Sequence, residues 1–131
     1  MAVKIDSVKV DTDREANGAW MDSTAYPGVR YLVRGLSYQG FEIANGLALQ
    51  RMAKAYKTNP VPSKVKSASL GKIVGEHLLL GWEGFDEPYD RAGAVEKLSD
   101  PAYRNLLDDV LRACAMVAER DLEFIEGLEK N

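Results

Sequence analysis

Hydrophobic side chains recur with two different periods along the chain, and the period changes near residue 36. From Val29 to Arg34 apolar and polar positions alternate, which predicts a half-buried antiparallel strand. Shorter apolar runs predict two further strands, at Val3 to Val10 and at Ala19 to Met21, with a polar loop from Asp11 to Gly18 between them. We therefore expect residues 1–36 to form a small β element.

The rest of the chain, residues 37–131, follows the helical period of about 3.6 residues. Ser37 is a plausible N-cap for the first of these helices, and Pro60 and Pro62 lie in the segment that ends it. Ser63 can cap the second helix, and Gly81 can end it in a left-handed conformation. The first three helices are expected at about Tyr38 to Lys57, Ser63 to Gly81 and Gly93 to Leu98.

The last helix has the clearest pattern. Asp100 caps it, and Pro101 occupies the first helical position, where a missing N–H does no harm. Apolar residues then keep a helical period as far as Leu128, with acidic residues on the opposite face. Such a helix would be ~40 Å long at about 1.5 Å per residue, which exceeds the roughly 30 Å diameter of a domain this size. Part of its apolar stripe is therefore expected to overhang the domain and to need a partner.

Together these elements predict an α+β fold that is mainly α, with a single domain over residues 1–131. A short N-terminal antiparallel β element (1–36) is followed by about four helices (37–131), the last one long and amphipathic. A chain of 131 residues can bury roughly two-thirds of its unfolded surface, so it needs no disulfide or metal to fold. Cys114, the only cysteine, lies on the apolar stripe of the last helix and is expected in the core.

The charge balance restricts the classes of partner. A net charge of −3 argues against binding of a nucleic-acid backbone, and the lysine-rich stretch from Lys54 to Lys72 is the only candidate basic patch. The chain shows no signal peptide and no apolar run long enough to span a membrane. We therefore expect a soluble protein of a reducing compartment, with no nucleic-acid or membrane partner.

Residue types used in catalysis and metal binding are present, but their arrangement is poor. The candidates are the only histidine, His77, the acidic cluster Glu83, Asp86, Glu87 and Asp90, and the run Asp11, Asp13, Glu15 and Asp22. That run only approaches the spacing of a calcium loop, because Ala16 stands where such a loop needs glycine. We predict no enzyme, no cofactor and no metal, and keep an acid–base site of His77 with the cluster as an alternative.

Two glycines, Gly71 and Gly75, lie one helical turn apart and form a shallow face together with Ala68. A face of small residues lets another backbone approach closely. Two interpretations remain open: tight packing within the monomer, or a self-association contact between subunits.

The order of features between Val74 and Leu98 is more informative than the composition of this stretch. Val74 to Leu98 has the sequence VGEHLLLGWEGFDEPYDRAGAVEKL, in which a helix runs into a Gly-Trp pair, an acidic turn with proline and a short alanine–leucine helix. An Asp-Pro cap at Asp100 and a long amphipathic helix ending in Lys-Asn follow. This order of features resembles the tail assembly chaperones of long-tailed bacteriophages (siphophages or prophages). The segment Asp90 to Gly93 departs from the family's pattern after the acidic turn.

The resemblance implies a non-catalytic protein of the host cytoplasm that coats the tape-measure protein. Such a chaperone promotes assembly of the tail-tube protein, self-associates into a homo-oligomer and is absent from the mature virion. Because the tape measure is long and apolar, its coat needs an adaptable apolar surface. The candidate partner-binding residues are Trp82, Phe85, Leu122, Ile125 and Leu128, which are otherwise ordinary core residues; the candidates for self-association are Ala68, Gly71 and Gly75.

A different class of function stays open beside this one. A small helical regulatory or antitoxin-like protein would bind DNA or another protein. Its distinguishing feature would be a basic recognition surface, and only the stretch from Lys54 to Lys72 offers one.

Overall fold

The structure is a computed structural model that describes residues 2–117 and residue 119. Its helices are Thr12–Asn17 (α1), Gln39–Tyr56 (α2), Ser63–His77 (α3), Arg91–Ser99 (α4) and Arg104–Met116 (α5). Its strands are Ala19–Asp22 (β1), Arg30–Val33 (β2) and Leu79–Glu83 (β3), and two 3-10 turns lie at Ile5–Val8 and Pro101–Tyr103. The α+β, mainly helical fold class is confirmed.

The three strands form one antiparallel sheet in the order β1-β2-β3. Because β2 is central, its alternate residues Tyr31 and Val33 are fully buried. Tyr31 is paired with Trp82 of β3, so the two side chains lie on the same face of the sheet. The helical pair α2 and α3 forms the long connection between β2 and β3.

The core lies between this face of the sheet and the helices α3, α4 and α5. Helix α3 packs most closely against α4, and α5 contacts both β1 and β2. Helix α2 is different, because it packs mainly on α3 and buries only Phe41 and Ala48 among its 18 residues. One end of the fold therefore consists of a helix with most of its surface in solvent.

Two expectations for residues 1–36 are wrong, and two are confirmed. The segment Val3 to Val10 contains the 3-10 turn Ile5–Val8 in place of a strand, and it pairs with no strand in the described part of the chain. The expected loop Asp11 to Gly18 contains helix α1, because the Asp11 side chain accepts a 3.1 Å hydrogen bond from the Arg14 N–H. The strands expected at Ala19 to Met21 and Val29 to Arg34 are present as β1 and β2.

The expected bounds of α2 and α3 also need three corrections. Ser63 is the first residue of α3, with Pro62 in the N-cap position and no side-chain cap, so Ser63 does not cap this helix. Tyr38 precedes α2 in the N-cap position with no side-chain cap, so Ser37 does not have that role. Helix α3 ends at His77 and not at Gly81, because Leu79–Glu83 pairs with β2 as strand β3. Strand pairing satisfies the backbone hydrogen-bonding groups of this segment and buries Leu79 and Trp82. These two gains outweigh the local preference of the segment for a helix.

The expected last helix is divided. The Asp100 carboxylate caps a 3-10 turn by accepting a hydrogen bond from the Ala102 N–H at 2.9 Å, and α5 begins only at Arg104. Helix α5 ends at Met116, whose carbonyl accepts a 3.0 Å hydrogen bond from the Glu119 N–H. The predicted helical stripe at Leu122, Ile125 and Leu128 lies outside the described residues. Within the described residues, no helix combines the length and apolarity needed to cross a membrane.

Candidate functional site

A groove of about 310 Å³ opens where the β1–β2 loop, the turn after β3 and the start of α5 meet. Four aromatic side chains and one leucine form most of its wall, and three charged residues complete it. The residues of this aromatic groove are Tyr26, Trp82, Phe85, Tyr103, Leu106, Asp86, Glu87 and Lys97. Its volume is at the lower end of the range for pockets that enclose a small ligand or a partner's side chain.

Trp82 forms the inner wall of the aromatic groove. Only 8% of its surface is exposed, and its indole N–H donates a 2.9 Å hydrogen bond to the Glu87 carbonyl. Phe85 is half-buried and meets the Trp82 ring edge-to-face, with 5.5 Å between centroids. Trp82 is therefore a core residue that also lines the aromatic groove, and Phe85 lies at a partly accessible position; binding of a partner by either residue stays a prediction.

The turn after β3 depends on Gly84. This glycine has φ +96°, and a Cβ placed on it would lie 2.2 Å from the Gly28 carbonyl oxygen. The two loops therefore contact each other through their backbones, which only glycine allows at this position. This contact brings Phe85 to Tyr26, with 6.1 Å between ring centroids, and so closes one side of the aromatic groove.

The opposite end of the β1–β2 loop is fixed by a buried carboxylate on α5. Asp109 is 2% exposed and accepts hydrogen bonds from the Ser23 hydroxyl, the Tyr31 hydroxyl at 2.6 Å and the Ala25 N–H at 3.2 Å. Ser23 in turn accepts a 2.8 Å hydrogen bond from the Tyr26 N–H. The Asp109 network therefore holds the segment that presents Tyr26 to the aromatic groove.

The pKa values of this network follow from the same contacts. Burial by itself would raise the pKa of Asp109, but hydrogen bonds from Ser23, Tyr31 and the loop backbone outweigh it, so that the pKa is lowered. Burial, together with the hydrogen bond to Asp109, raises the pKa of Tyr31 well above its usual value. At neutral pH the pair is thus a carboxylate that accepts from a neutral phenol.

The acidic cluster predicted from the sequence is separated into individual contacts. Glu83 pairs with Arg30 at 2.6 Å, Glu87 pairs with Lys97 at 3.1 Å, and Asp90 caps α4 by accepting from the Gly93 N–H at 2.9 Å. The hydrogen bond and the negative charge of Glu87 raise the pKa of Lys97. No group of three or more histidine, cysteine or acidic side chains in the described residues is arranged to hold a metal ion.

The other candidate residues occupy separate places. The His77 ring is half-buried beside Glu76, with 4.0 Å between Nε2 and Oε2, and not in the core. Cys114 is fully buried, as predicted, and burial raises the pKa of its thiol to about 12. Neither residue lines the aromatic groove.

The small-residue face of α3 is occupied within the monomer. A Cβ on Gly71 would lie 1.7 Å from the Leu98 carbonyl oxygen, and one on Gly75 would lie 2.9 Å from the Val95 side chain. Both glycines therefore allow α4 to approach α3, which corrects the interpretation of Gly71 and Gly75 as a self-association surface. Ala68 lines a groove towards α2.

Tyr26 and Tyr103, which line the aromatic groove, and Asp109, which holds the loop that carries Tyr26, are not among the site residues predicted from the sequence. Asp109 had a detectable signal, since a charged residue between Leu106 and Val110 stands on the apolar stripe of α5, where only a partnered charge is stable. The two tyrosines had no comparable signal, because their role depends on which loops meet in space.

No protein-family model matches the chain, and no curated protein or solved structure matches it either. Any inference about its function therefore rests on the structure of the chain itself. The aromatic groove offers aromatic faces together with the exposed carboxylate of Asp86, whereas the Glu87 carboxylate is paired with Lys97. Such a surface can bind an apolar or cationic side chain of another protein.

Proposed function

We propose that this protein is a non-catalytic assembly protein that binds another protein chain at the aromatic groove. In its most specific form the proposal is a tail assembly chaperone of a long-tailed phage, which acts in the host cytoplasm. There it would bind the tape-measure protein, promote tail-tube assembly, self-associate, and be absent from the mature virion. It would need no cofactor for any of these steps.

The observation that carries the proposal is the composition of the aromatic groove. Tyr26, Phe85 and Tyr103 offer ring surface beside an apolar wall, and Tyr103 is 40% exposed. Aromatic side chains supply large contact areas at a small cost in conformational entropy, which is why they dominate protein-binding sites. The only ionic contact between groove residues, Glu87 with Lys97, occupies charges that an acid–base mechanism would need to be free.

Apolar side chains exposed outside the groove support a protein-binding role as well. On α2 alone, Ile43, Leu47 and Leu49 are each about half exposed, at 56%, 47% and 55%. Scattered single residues of this kind are common on surfaces, but Ile43 and Leu47 lie one turn apart on the same face of α2 and can form a contact surface. A protein that coats an apolar partner needs this type of surface.

The test is co-expression of the full chain with the tape-measure protein encoded in the same genome, measuring how much tape measure stays soluble. We expect wild-type chain to keep it soluble and Tyr103→Ala to reduce this effect several-fold. Trp20→Ala is the matched control, because Trp20 is 41% exposed but lies outside the groove. Equal solubility with and without the chain would overturn the proposal, and equal effects of the two variants would exclude the groove.

The genome offers an independent test of the specific assignment. A very long helical reading frame directly downstream, with an overlapping frame between the two genes, would support a tail chaperone. Unrelated neighbouring genes would leave a protein-binding domain without that role.

A second candidate function, a regulator that binds DNA, rests on one observation. Lys54, Lys57, Lys64 and Lys66 are all exposed at the α2–α3 end of the molecule. Binding to duplex DNA with a steep loss of affinity as salt rises would favour this candidate over the chaperone.

A further inference from the structure

A second surface, whose residues are all different from those of the aromatic groove, lies between α2 and α3. A groove of about 500 Å³ runs between the two helices, with small side chains in its walls, and its charged lining residues are Arg51, Lys72 and Glu76. Leu47 also lines this groove, and Ile43 is exposed one turn earlier on α2. We call this region the α2–α3 groove. An exposed apolar groove between two helices is the usual docking place for an amphipathic segment.

The helical pair that forms the α2–α3 groove is basic. Residues 39–77 contain six lysines and arginines against two acidic residues, a net charge of +4. The last described residue, Glu119, opens a stretch of the opposite sign. Residues 119–131 contain five acidic residues against one arginine and one lysine, a net charge of −3. Within one chain of net charge −3, these two stretches are electrostatically complementary.

The acidic stretch also matches the groove in its apolar residues. Leu122, Ile125 and Leu128 recur every third residue between the acidic positions 121, 123, 126 and 129. Recognition of a segment in a helical groove uses apolar anchors at this spacing, with charges at the edges that fix its orientation. Arg51 and Lys72 stand on the two opposite helices of the groove and can contact carboxylates on both edges of such a segment.

We propose that residues 119–131 bind the α2–α3 groove of the same molecule and cover its apolar side chains. The Glu119 N–H donates a 3.0 Å hydrogen bond to the Met116 carbonyl at the end of α5, so this stretch follows α5 directly in sequence. Twelve residues reach at most about 40 Å when extended, whereas the radius of gyration of a domain this size is about 14 Å. A tethered segment has an effective concentration in the millimolar range, so the same molecule outcompetes a second copy.

The contact is independent of the proposed function, because it forms in the free protein and needs no partner. Its consequence is that the apolar surface of α2 is shielded until something competes for it. A protein lacking any assembly role would show the same contact.

Disulfide trapping in the full chain tests this contact directly. Leu47→Cys and Ile125→Cys are combined in a Cys114→Ala background, which removes the buried native thiol. Under mild oxidation at micromolar protein we expect an intramolecular disulfide, seen as a faster-migrating monomer on a non-reducing gel. Its rate of formation should not change with protein concentration.

A matched control places the first cysteine on another exposed helical residue. Ala92→Cys on α4 with Ile125→Cys should form its disulfide at least about tenfold more slowly, since the effective concentration there is lower. Equal rates for the two pairs would overturn the proposal. Disulfide-linked dimers whose yield rises with concentration would overturn it in favour of a second copy as the occupant.

Charge reversal provides a second readout with an internal rescue. Arg51→Glu with Lys72→Glu should slow the disulfide trapping several-fold, and added Glu123→Lys with Glu126→Lys should restore it. As a control, Glu123→Lys with Glu126→Lys is combined with Lys4→Glu and Lys9→Glu, near the start of the chain, in place of the substitutions at Arg51 and Lys72. In this variant the trapping should stay slow. Trapping that is unaffected by either reversal, or by raising the salt to 1 M, would contradict the electrostatic basis of the contact.

Discussion

The Tyr31 hydroxyl donates a 2.6 Å hydrogen bond to the Asp109 carboxylate, although 78 positions separate the two residues in sequence. Tyr31 is fully buried on the central strand, and Asp109 is almost fully buried on α5. Their contact joins the sheet to the last described helix at the centre of the fold. Through Ser23 it also fixes the loop that carries Tyr26, so that the stability of the core and the shape of the aromatic groove are linked.

Asp109→Ala is expected to lower the free energy of unfolding by about 3 kcal/mol, because it leaves the hydroxyl of Tyr31 and other buried donors without an acceptor. Urea denaturation followed by tryptophan fluorescence measures the change. Asp108→Ala is the matched control, since Asp108 is the exposed neighbour on α5 and should change stability by less than about 0.5 kcal/mol. Equal losses in the two variants would show that the hydrogen bonds of Asp109 contribute no more to stability than an exposed carboxylate does.

The same pair predicts how stability varies with pH. The lowered pKa of Asp109 means that its contribution is present above the unfolded value of about 3.9 and is lost as pH falls through the folded pKa. The raised pKa of Tyr31 means that its contribution is present below about pH 10 and is lost as pH rises further. Wild type should therefore lose more stability than Asp109→Asn between pH 5 and pH 2, measured by urea denaturation. Parallel pH profiles would contradict the assignment.

Gly84→Ala and Gly28→Ala separate backbone strain from steric overlap. Both glycines have positive φ, at +96° and +83°, but only at Gly84 would a Cβ meet another backbone, 2.2 Å from the Gly28 oxygen. We expect Gly28→Ala to cost about 1 kcal/mol of stability and Gly84→Ala about 3 kcal/mol or more. Gly84→Ala should also weaken partner binding at the aromatic groove, because it displaces the turn before Phe85. Similar losses of stability in thermal unfolding would refute the close contact of the two loops.

Gly71→Ala and Gly46→Ala test the packing of α4 on α3. A Cβ on Gly71 would overlap the Leu98 carbonyl oxygen at 1.7 Å, whereas a Cβ on Gly46 has no neighbour within 4 Å. Gly71→Ala is therefore expected to destabilise the fold by about 3 kcal/mol. Gly46→Ala should stabilise it by about 0.5–1 kcal/mol, since alanine is favoured in a helix. A tolerated Gly71→Ala would reopen this face of α3 as a contact between subunits.

Local patterns in the sequence were sufficient where one element carries its own signal. Strand β2 alternates, the segment with Pro60 and Pro62 separates α2 from α3, and Cys114 lies on an apolar stripe. The sequence predicted all of these correctly, because periodicity reports which face of an element is buried before its neighbours are known. It failed at Leu79–Glu83, where an apolar run has no period that separates a helix end from a strand.

The candidate site was predictable only in part. Phe85 was selected as an apolar residue near an acidic turn, and it does line the aromatic groove. Its neighbours Tyr26 and Tyr103 come from segments more than 75 positions apart, so no local pattern connects them. Residues Leu122, Ile125 and Leu128 remain predictions, because they lie outside the part of the chain that the structure describes.

By itself the sequence determined the mainly helical class, the central strand and the absence of any internal disulfide, since each follows from residue type or short-range spacing. Only the tertiary structure decided that α4 packs against Gly71 and Gly75, that Asp109 is buried beneath a loop, and that Trp82 belongs to the core. These features depend on contacts between distant segments. Their free energy comes from desolvation and close packing, which local sequence patterns do not encode.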